Sequence, residues 1–276
     1  MAAALALLSS LAWGSADFIA GNLTKKRAAL AVAGAAQVIG LLVMLVVATA
    51  TASWGTPVWE YLPWAVLASL AGLLGLVSFY QALATGSMSV VSPITALGVV
   101  VPLGFGLLQG DQPSPWQYLG ILIAIVGVLL AATPEVSGRV GLRPLLLAIV
   151  AAVMFGLFLA LVALGSETSA VMTMTAQRTT STLIVVAIAL SLRSLGGLQR
   201  GDGPALVAIG VFDVGANLLF GIASTLGLLA LVAVLGSLYP VVTVVLAWLI
   251  LKERLTSAQY AGVALALVGV VAISAG

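Results

Sequence analysis

The chain has 276 residues, of which 62% are hydrophobic and only 7% charged, with a net charge of +2. A water-soluble domain carries about 25% charged residues, so this chain cannot cover its own surface in water, and it has no basic stripe to bind nucleic acid. It contains neither Cys nor His, which removes disulfides, thiolate nucleophiles, iron–sulfur ligation and the commonest metal ligand and general base. No catalytic residue, metal site or cofactor is expected. The partners left are the lipid bilayer and a small solute.

A helix needs about 20 apolar residues to cross a bilayer. Ten runs read as spans: 2–21, 30–50, 61–83, 88–108, 116–132, 144–164, 169–191, 204–226, 229–250 and 257–274. The first has no basic segment before it and contains Asp17, so it reads as a retained helix, not a cleaved signal peptide. Short turns separate the spans, among them Gly55-Thr56-Pro57, Gly86-Ser87, Gln112-Pro113-Ser114-Pro115 and Gly165-Ser166-Glu167. The longest break, 133–143, reads as a linker between residues 1–132 and 144–276. The fold class is therefore all-α and polytopic.

The two parts repeat. At an offset of 142 residues Gln117-Tyr118 becomes Gln259-Tyr260, Gly120 becomes Gly262, Ala124 becomes Ala266, and Val126-Gly127-Val128 becomes Val268-Gly269-Val270. Upstream, Trp13-Gly14 becomes Phe155-Gly156 at the same offset. An internal repeat in a membrane chain points to a transporter. Nine of the ten Lys and Arg residues fall in or beside odd-numbered connections (Lys25, Lys26, Arg27, Arg139, Arg143, Arg193, Arg200, Lys252, Arg254), while the even ones hold only Glu60, Asp111 and Glu167. By the positive-inside rule the odd connections are cytoplasmic and both termini lie outside. With five spans each, the two halves enter the membrane in opposite directions, as an inverted repeat.

These residues resemble a known family. Ala12-Trp13-Gly14-Ser15 in the first span, Tyr80-Gln81-Ala82-Leu83-Ala84-Thr85-Gly86 ending the third, and Leu251-Lys252-Glu253-Arg254-Leu255-Thr256 before the tenth look like an EamA-type member of the drug/metabolite transporter superfamily. The first half departs from the usual acid–arginine corner, reading Gly110-Asp111-Gln112-Pro113. The resemblance implies an inner-membrane exporter of amino acids, other metabolites or drugs, with a central cavity between spans 1, 3, 4 and 6, 8, 9.

Within the spans, three charges stand out: Asp17, Arg178 and Asp213. A charge at a helix centre costs about 2.5–3.5 kcal/mol on the lenient insertion scale. Arg178 and Asp213 lie at similar depth, so pairing is expected, either as a structural lock or as part of a substrate site. Asn217 follows Asp213 by one turn on the same face. Asp17 reads as close enough to its helix end to reach water or Lys25 and Lys26, and with Asp213 it is a candidate for coupling transport to protons. Gln37, Gln81 and Gln177 read as interhelical glue.

Tyr239-Pro240 breaks the ninth span, and Pro93 and Pro102 punctuate the fourth; helices broken at matching places in two halves mark a transporter site. Pro93, Pro102 and Pro240 are thus candidate kinks. Trp13, Phe155 and Tyr239 are candidate walls for an apolar substrate group, with Arg178, Asp213 and Asn217 as its polar contacts. The small faces of spans five and ten (Gly120, Ala124, Gly127; Gly262, Ala266, Gly269) suit close packing or dimerisation, so the chain is expected as a monomer or weak homodimer. Trp54, Trp59, Trp64 and Trp116 read as interface anchors. No GxxxxGK[ST] is present, so ATP is not the direct energy source.

Overall fold

The computed structural model describes residues 1–85, 94–132, 141–192, 197–252 and 255–275, and among them the regular structure is helical, with no strand. In chain order the α-helices are α1 (Ala2–Thr24), α2 (Ala29–Ala50), α3 (Val58–Thr85), α4 (Val100–Leu108), α5 (Pro115–Ala131), α6 (Leu142–Leu192), α7 (Gly203–Leu226), α8 (Leu229–Gly236), α9 (Tyr239–Leu251) and α10 (Ser257–Ala275). Seven helical stretches, counting Leu229–Leu251 as one, are long and apolar enough to cross a membrane; Ile94–Leu108 and Pro115–Ala131 are apolar but shorter. The chain is a polytopic, all-helical membrane protein.

α6 is longer than a bilayer can hold. Its 51 residues would run about 75 Å if straight, against a hydrocarbon core of about 30 Å. The turn expected at Gly165-Ser166-Glu167 stays helical; Ser169 alone is extended (φ −164°, ψ 110°). Its Oγ accepts a hydrogen bond from Met172 N at 3.2 Å, so Ser169 acts as the N-cap of a second arm. The arms fold back on each other: a Cβ built on Gly165 would stand 2.6 Å from Thr173 Cγ2 and 3.2 Å from Trp64 Cβ. Trp64 is thus half-buried against the core, whereas Trp54, Trp59 and Trp116 are exposed.

The repeated glutamines have a local cause. Ser114 Oγ accepts from Gln117 N (3.3 Å) while Gln117 Oε1 accepts from Ser114 N (2.8 Å), a capping box that starts α5. At α10 the same box recurs, with Thr256 N donating to Gln259 Oε1 (2.9 Å) and Gln259 N donating to Thr256 Oγ1 (3.3 Å). These two helices pack on one another. Gly120 meets Ile273, Ala124 meets Gly269, Gly127 meets Ala266 and Ala131 meets Gly262. Numbers fall on one helix as they rise on the other, so the contact is antiparallel. Backbone touches backbone there, and the small faces are filled within one chain.

The other contacts come in matched sets. α1 packs along α7 and α9, as α3 and the turn before α4 pack along α6. A Cβ on Gly14 would stand 2.7 Å from Tyr239 O and 2.5 Å from Val242 Cβ; one on Gly156 would meet Gly98 O and, at 2.6 Å, Val101 Cβ. The breaks correspond too. α8 and α9 are parted at Ser237-Leu238, just before Tyr239-Pro240, and a 3-10 turn at Leu97–Val99 precedes α4. Pro102 is buried in the first turn of α4, where its missing N–H costs little. Pro93 lies outside the described residues.

Candidate functional site

At mid-depth of the bundle, α6 and α7 bring the two opposite charges together. Arg178 Nη2 lies 2.8 Å from Asp213 Oδ2, with the arginine side chain 2% exposed and the aspartate 29%. Arg178 Nη1 donates to Gln37 Oε1 of α2 at 2.6 Å, and Ser181 Oγ donates to the same oxygen at 2.9 Å. Asn217 Nδ2 donates to Asp213 O (2.7 Å) and to Asp213 Oδ1 (3.3 Å). The guanidinium is thus anchored on α2 and faces a carboxylate whose other side is partly open. Two buried atoms near the pair have no partner among the described residues, Arg178 Nε and Asn217 Oδ1.

Trp13 and Tyr239 meet beside this cluster. Their ring centroids are 6.2 Å apart at 69°, and Trp13 also lies 5.9 Å from the buried Phe220. Tyr239 opens α9 directly after the break, and Thr243 Oγ1 ties that turn to α1 by donating to Gly14 O (3.2 Å). Phe155 takes the corresponding place in the other half, with its ring 6.1 Å from Phe79 and against Gly75. It belongs to that mirrored aromatic cluster and not to the ion-paired one.

Asp17 differs from its sequence reading. α1 runs to Thr24, so the carboxylate sits about 10 Å of helix rise from the end. Lys25 Nζ bonds Asn22 Oδ1, and Arg27 pairs with Asp202 (Nε to Oδ2, 2.6 Å). Neither Lys25 nor Lys26 pairs with Asp17: among the described residues the ion pairs are Arg27–Asp202 and Arg178–Asp213. The residue is exposed, yet it follows Trp13 by one turn on the face that meets α9. It lies within Coulombic range of Asp213 and of the Tyr239 phenol. One turn further, a Cβ on Gly21 would meet nothing within 4 Å. On this face Asp17 and Gly21 are exposed and Trp13 is half-buried.

α8 is buried at every position but Leu231, and Asp111 Oδ2 accepts from Ala230 N at 2.8 Å, which ties the fourth connection to the start of α8. By contrast, only Val241 is buried in α9. α8, which starts at an even connection, is therefore packed on nearly every side, whereas α9, which ends at an odd one, is mostly half-buried or exposed. Arg27 with Asp202 joins connections one and seven, and Ala2 abuts Gly227 of connection eight, so each side is held together across the chain.

Sequence reading pointed to Arg178, Asp213, Asn217, Trp13 and Tyr239, and the fold gathers them. It missed Ser181, Phe220 and Ser9, whose Oγ donates to Ala216 O at 2.8 Å. Small hydroxyls are too frequent in these spans to be singled out without knowing which face they occupy.

Among curated proteins none matches the chain. A solved structure described as "Crystal structure of protein" shares its fold, with a TM-score of 0.81 at 17% identity over 99% of this chain and 96% of that one. The sequence pattern of the EamA-like transporter family matches residues 1–133 and again 142–275. The chain is a member of the EamA-like transporter family, a membrane transporter of the drug/metabolite type.

Proposed function

We propose that the chain is a secondary transporter in the cell inner membrane, exporting small metabolites such as amino acids or similar amphipathic solutes by alternating access. Ten spans form two inverted halves, 1–132 and 144–276, joined by 133–143. The antiparallel contact of α5 with α10 supports the inversion, because the two helices carry the same motif and run in opposite directions. The odd connections are cytoplasmic. On that reading the packed start of α8 faces outside and the less buried end of α9 faces the cytoplasm, and rocking of one half on the other would open each side in turn.

The observation that carries this reading is the break between α8 and α9 beside the Arg178–Asp213 pair and the Trp13–Tyr239 aromatics. Trp13, Tyr239, Arg178, Asp213 and Asn217 line the substrate site, Phe155 flanks it from the opposite half, and Pro102 and Pro240 mark the bending points, with Pro93 a third on sequence grounds. Asp213 is occupied by an arginine, so Asp17 is the better carrier if protons drive export. A proton-independent facilitator or exchanger of the same fold is the second reading, favoured by that same ion pair.

Efflux from proteoliposomes loaded with a mixed pool of amino acids and other small metabolites tests both. Released species are read by mass spectrometry with and without a pH gradient. Selective release that the gradient accelerates is expected for the proton-driven exporter. Release indifferent to pH supports the second reading, and no release beyond empty liposomes overturns both.

A further inference from the structure

The outer side of the α1–α7 contact carries a groove that the transport site does not use. Ser15 lies two residues from both Trp13 and Asp17, and Gly215 two residues from both Asp213 and Asn217. Two residues turn a helix by about 200°, so Ser15 and Gly215 mark the faces turned away from those candidate site residues. Both line an open cleft of about 410 Å³ at mid-depth, walled by Leu8, Leu11, Phe212 and Leu219. A second cleft, of about 350 Å³, continues along the same two helices past Phe18 and Asn22 to Lys26, with Ala205 and Asp202 opposite. α1 and α7 pack along one another, tied by the bond from Ser9 Oγ to Ala216 O.

The groove has the length and polarity of a lipid. From Ser15 to Lys26, just past the end of α1, is about 16 Å of rise, the depth of one leaflet of a hydrocarbon core about 30 Å thick. Leu8, Leu11 and Phe212 leave the deep part apolar and exposed. The mouth is basic: in the two connections that form it, the described residues include Lys25, Lys26, Arg27 and Arg200 against one carboxylate, Asp202. Asp202 Oδ2 is engaged by Arg27 and by Gln199 N, and Lys25 Nζ reaches Asn22 Oδ1. Lys26 is exposed, lines the groove, and has no hydrogen bond or ion pair among the described residues. Basic side chains clustered where a helix leaves the bilayer attract anionic headgroups. A second copy related by a two-fold axis along the membrane normal would instead bring the same cations together.

We propose that the α1–α7 groove is a binding site for one anionic glycerophospholipid, its phosphate at Lys26 and an acyl chain laid past Phe18 to Ser15 and Gly215. The lipid joins the first connection to the seventh beside the Arg27–Asp202 pair, and so braces from behind the two helices that carry Trp13, Asp17, Asp213 and Asn217. The site is independent of which solute is transported.

Native mass spectrometry of the full-length protein, delipidated in detergent, reads bound lipid directly. The probes are phosphatidylglycerol and phosphatidylcholine with the same dioleoyl chains, and inorganic phosphate as competitor. One phosphatidylglycerol per chain is expected, bound at least about tenfold more tightly than phosphatidylcholine, and Lys26→Gln is expected to reduce that preference about fivefold. A Cβ on Gly215 would meet nothing within 4 Å, so Gly215→Leu is expected to fold normally, fill the cleft and weaken both lipids severalfold, at unchanged melting temperature in lipid-free detergent. Phosphatidylglycerol with a photoactivatable acyl chain is expected to label residues 8–26 or 202–219, mapped by proteolysis. Equal binding of the two lipids, a Lys26→Gln variant with its preference unaltered, or labelling confined to other helices would overturn the proposal. So would displacement of the lipid by inorganic phosphate, which would mean a free-anion site, or a lipid-free dimer in place of bound lipid.

Discussion

Arg178 is the most demanding residue in the chain. A guanidinium 2% exposed at the middle of a bundle needs its partners, and it finds Asp213 and Gln37. Removing one member of a fully buried pair costs about 3–5 kcal/mol; Asp213 is 29% exposed, so Asp213→Ala is expected to cost less, about 1–3 kcal/mol. The double change Arg178→Met with Asp213→Ala removes the stranded charge and is expected to recover most of that loss, read as melting temperature in detergent. If the double variant is no more stable than the single one, the pair does not lock the helices. The pairing was legible because two opposite charges at one depth have few alternatives in a bilayer. Gln37 was named only as glue, since its reach to Arg178 depends on how α2 lies against α6. The lysine contact expected of Asp17 does not form, because sequence distance to Lys25 and Lys26 says nothing about which face of α1 the carboxylate occupies.

At the level of elements, small residues set how closely helices approach. A Cβ on Gly127 or Gly262 would run into the backbone of the partner helix, whereas one on Gly104 of α4 would meet nothing within 4 Å. Gly127→Leu or Gly262→Leu is therefore expected to cost at least about 2–3 kcal/mol through overpacking and to lower the yield of folded protein, while Gly104→Ala leaves both unchanged. Size-exclusion profiles and thermal unfolding check this. Should Gly127→Leu behave like Gly104→Ala, the α5–α10 contact is not what holds those helices. The small stripe was readable from spacing, but whether it served packing or dimerisation was not; the facing helix decides it, and here it lies in the same chain. Likewise the breaks just before Pro102 and Pro240 were readable from proline. The break at Ser169 was not, because a serine ends a helix only where the fold lets its hydroxyl cap the next one.

For the whole molecule, the class was legible in composition, the two-part organisation in the 142-residue offset, and the family in the motifs at residues 12–15, 80–86 and 251–256. The tie between the fourth connection and the start of α8 was hidden, since it rests on one carboxylate reaching a helix start 119 residues away, Asp111 to Ala230. Orientation has a direct check in a chain without cysteine. Lys26→Cys is expected to react with an impermeant maleimide only from the cytoplasmic side, and Gln112→Cys only from outside; reversed labelling would turn the bundle over. The central claim is that transport requires the outer side to open. Asp111→Cys with Ala230→Cys places two thiols on the segments now joined by the 2.8 Å hydrogen bond from Ala230 N to Asp111 Oδ2. The measurement is solute release from proteoliposomes with this pair oxidised and then reduced. Alternating access predicts that release stops when the bridge forms and returns when it is reduced. Undiminished release through the bridged protein would contradict it.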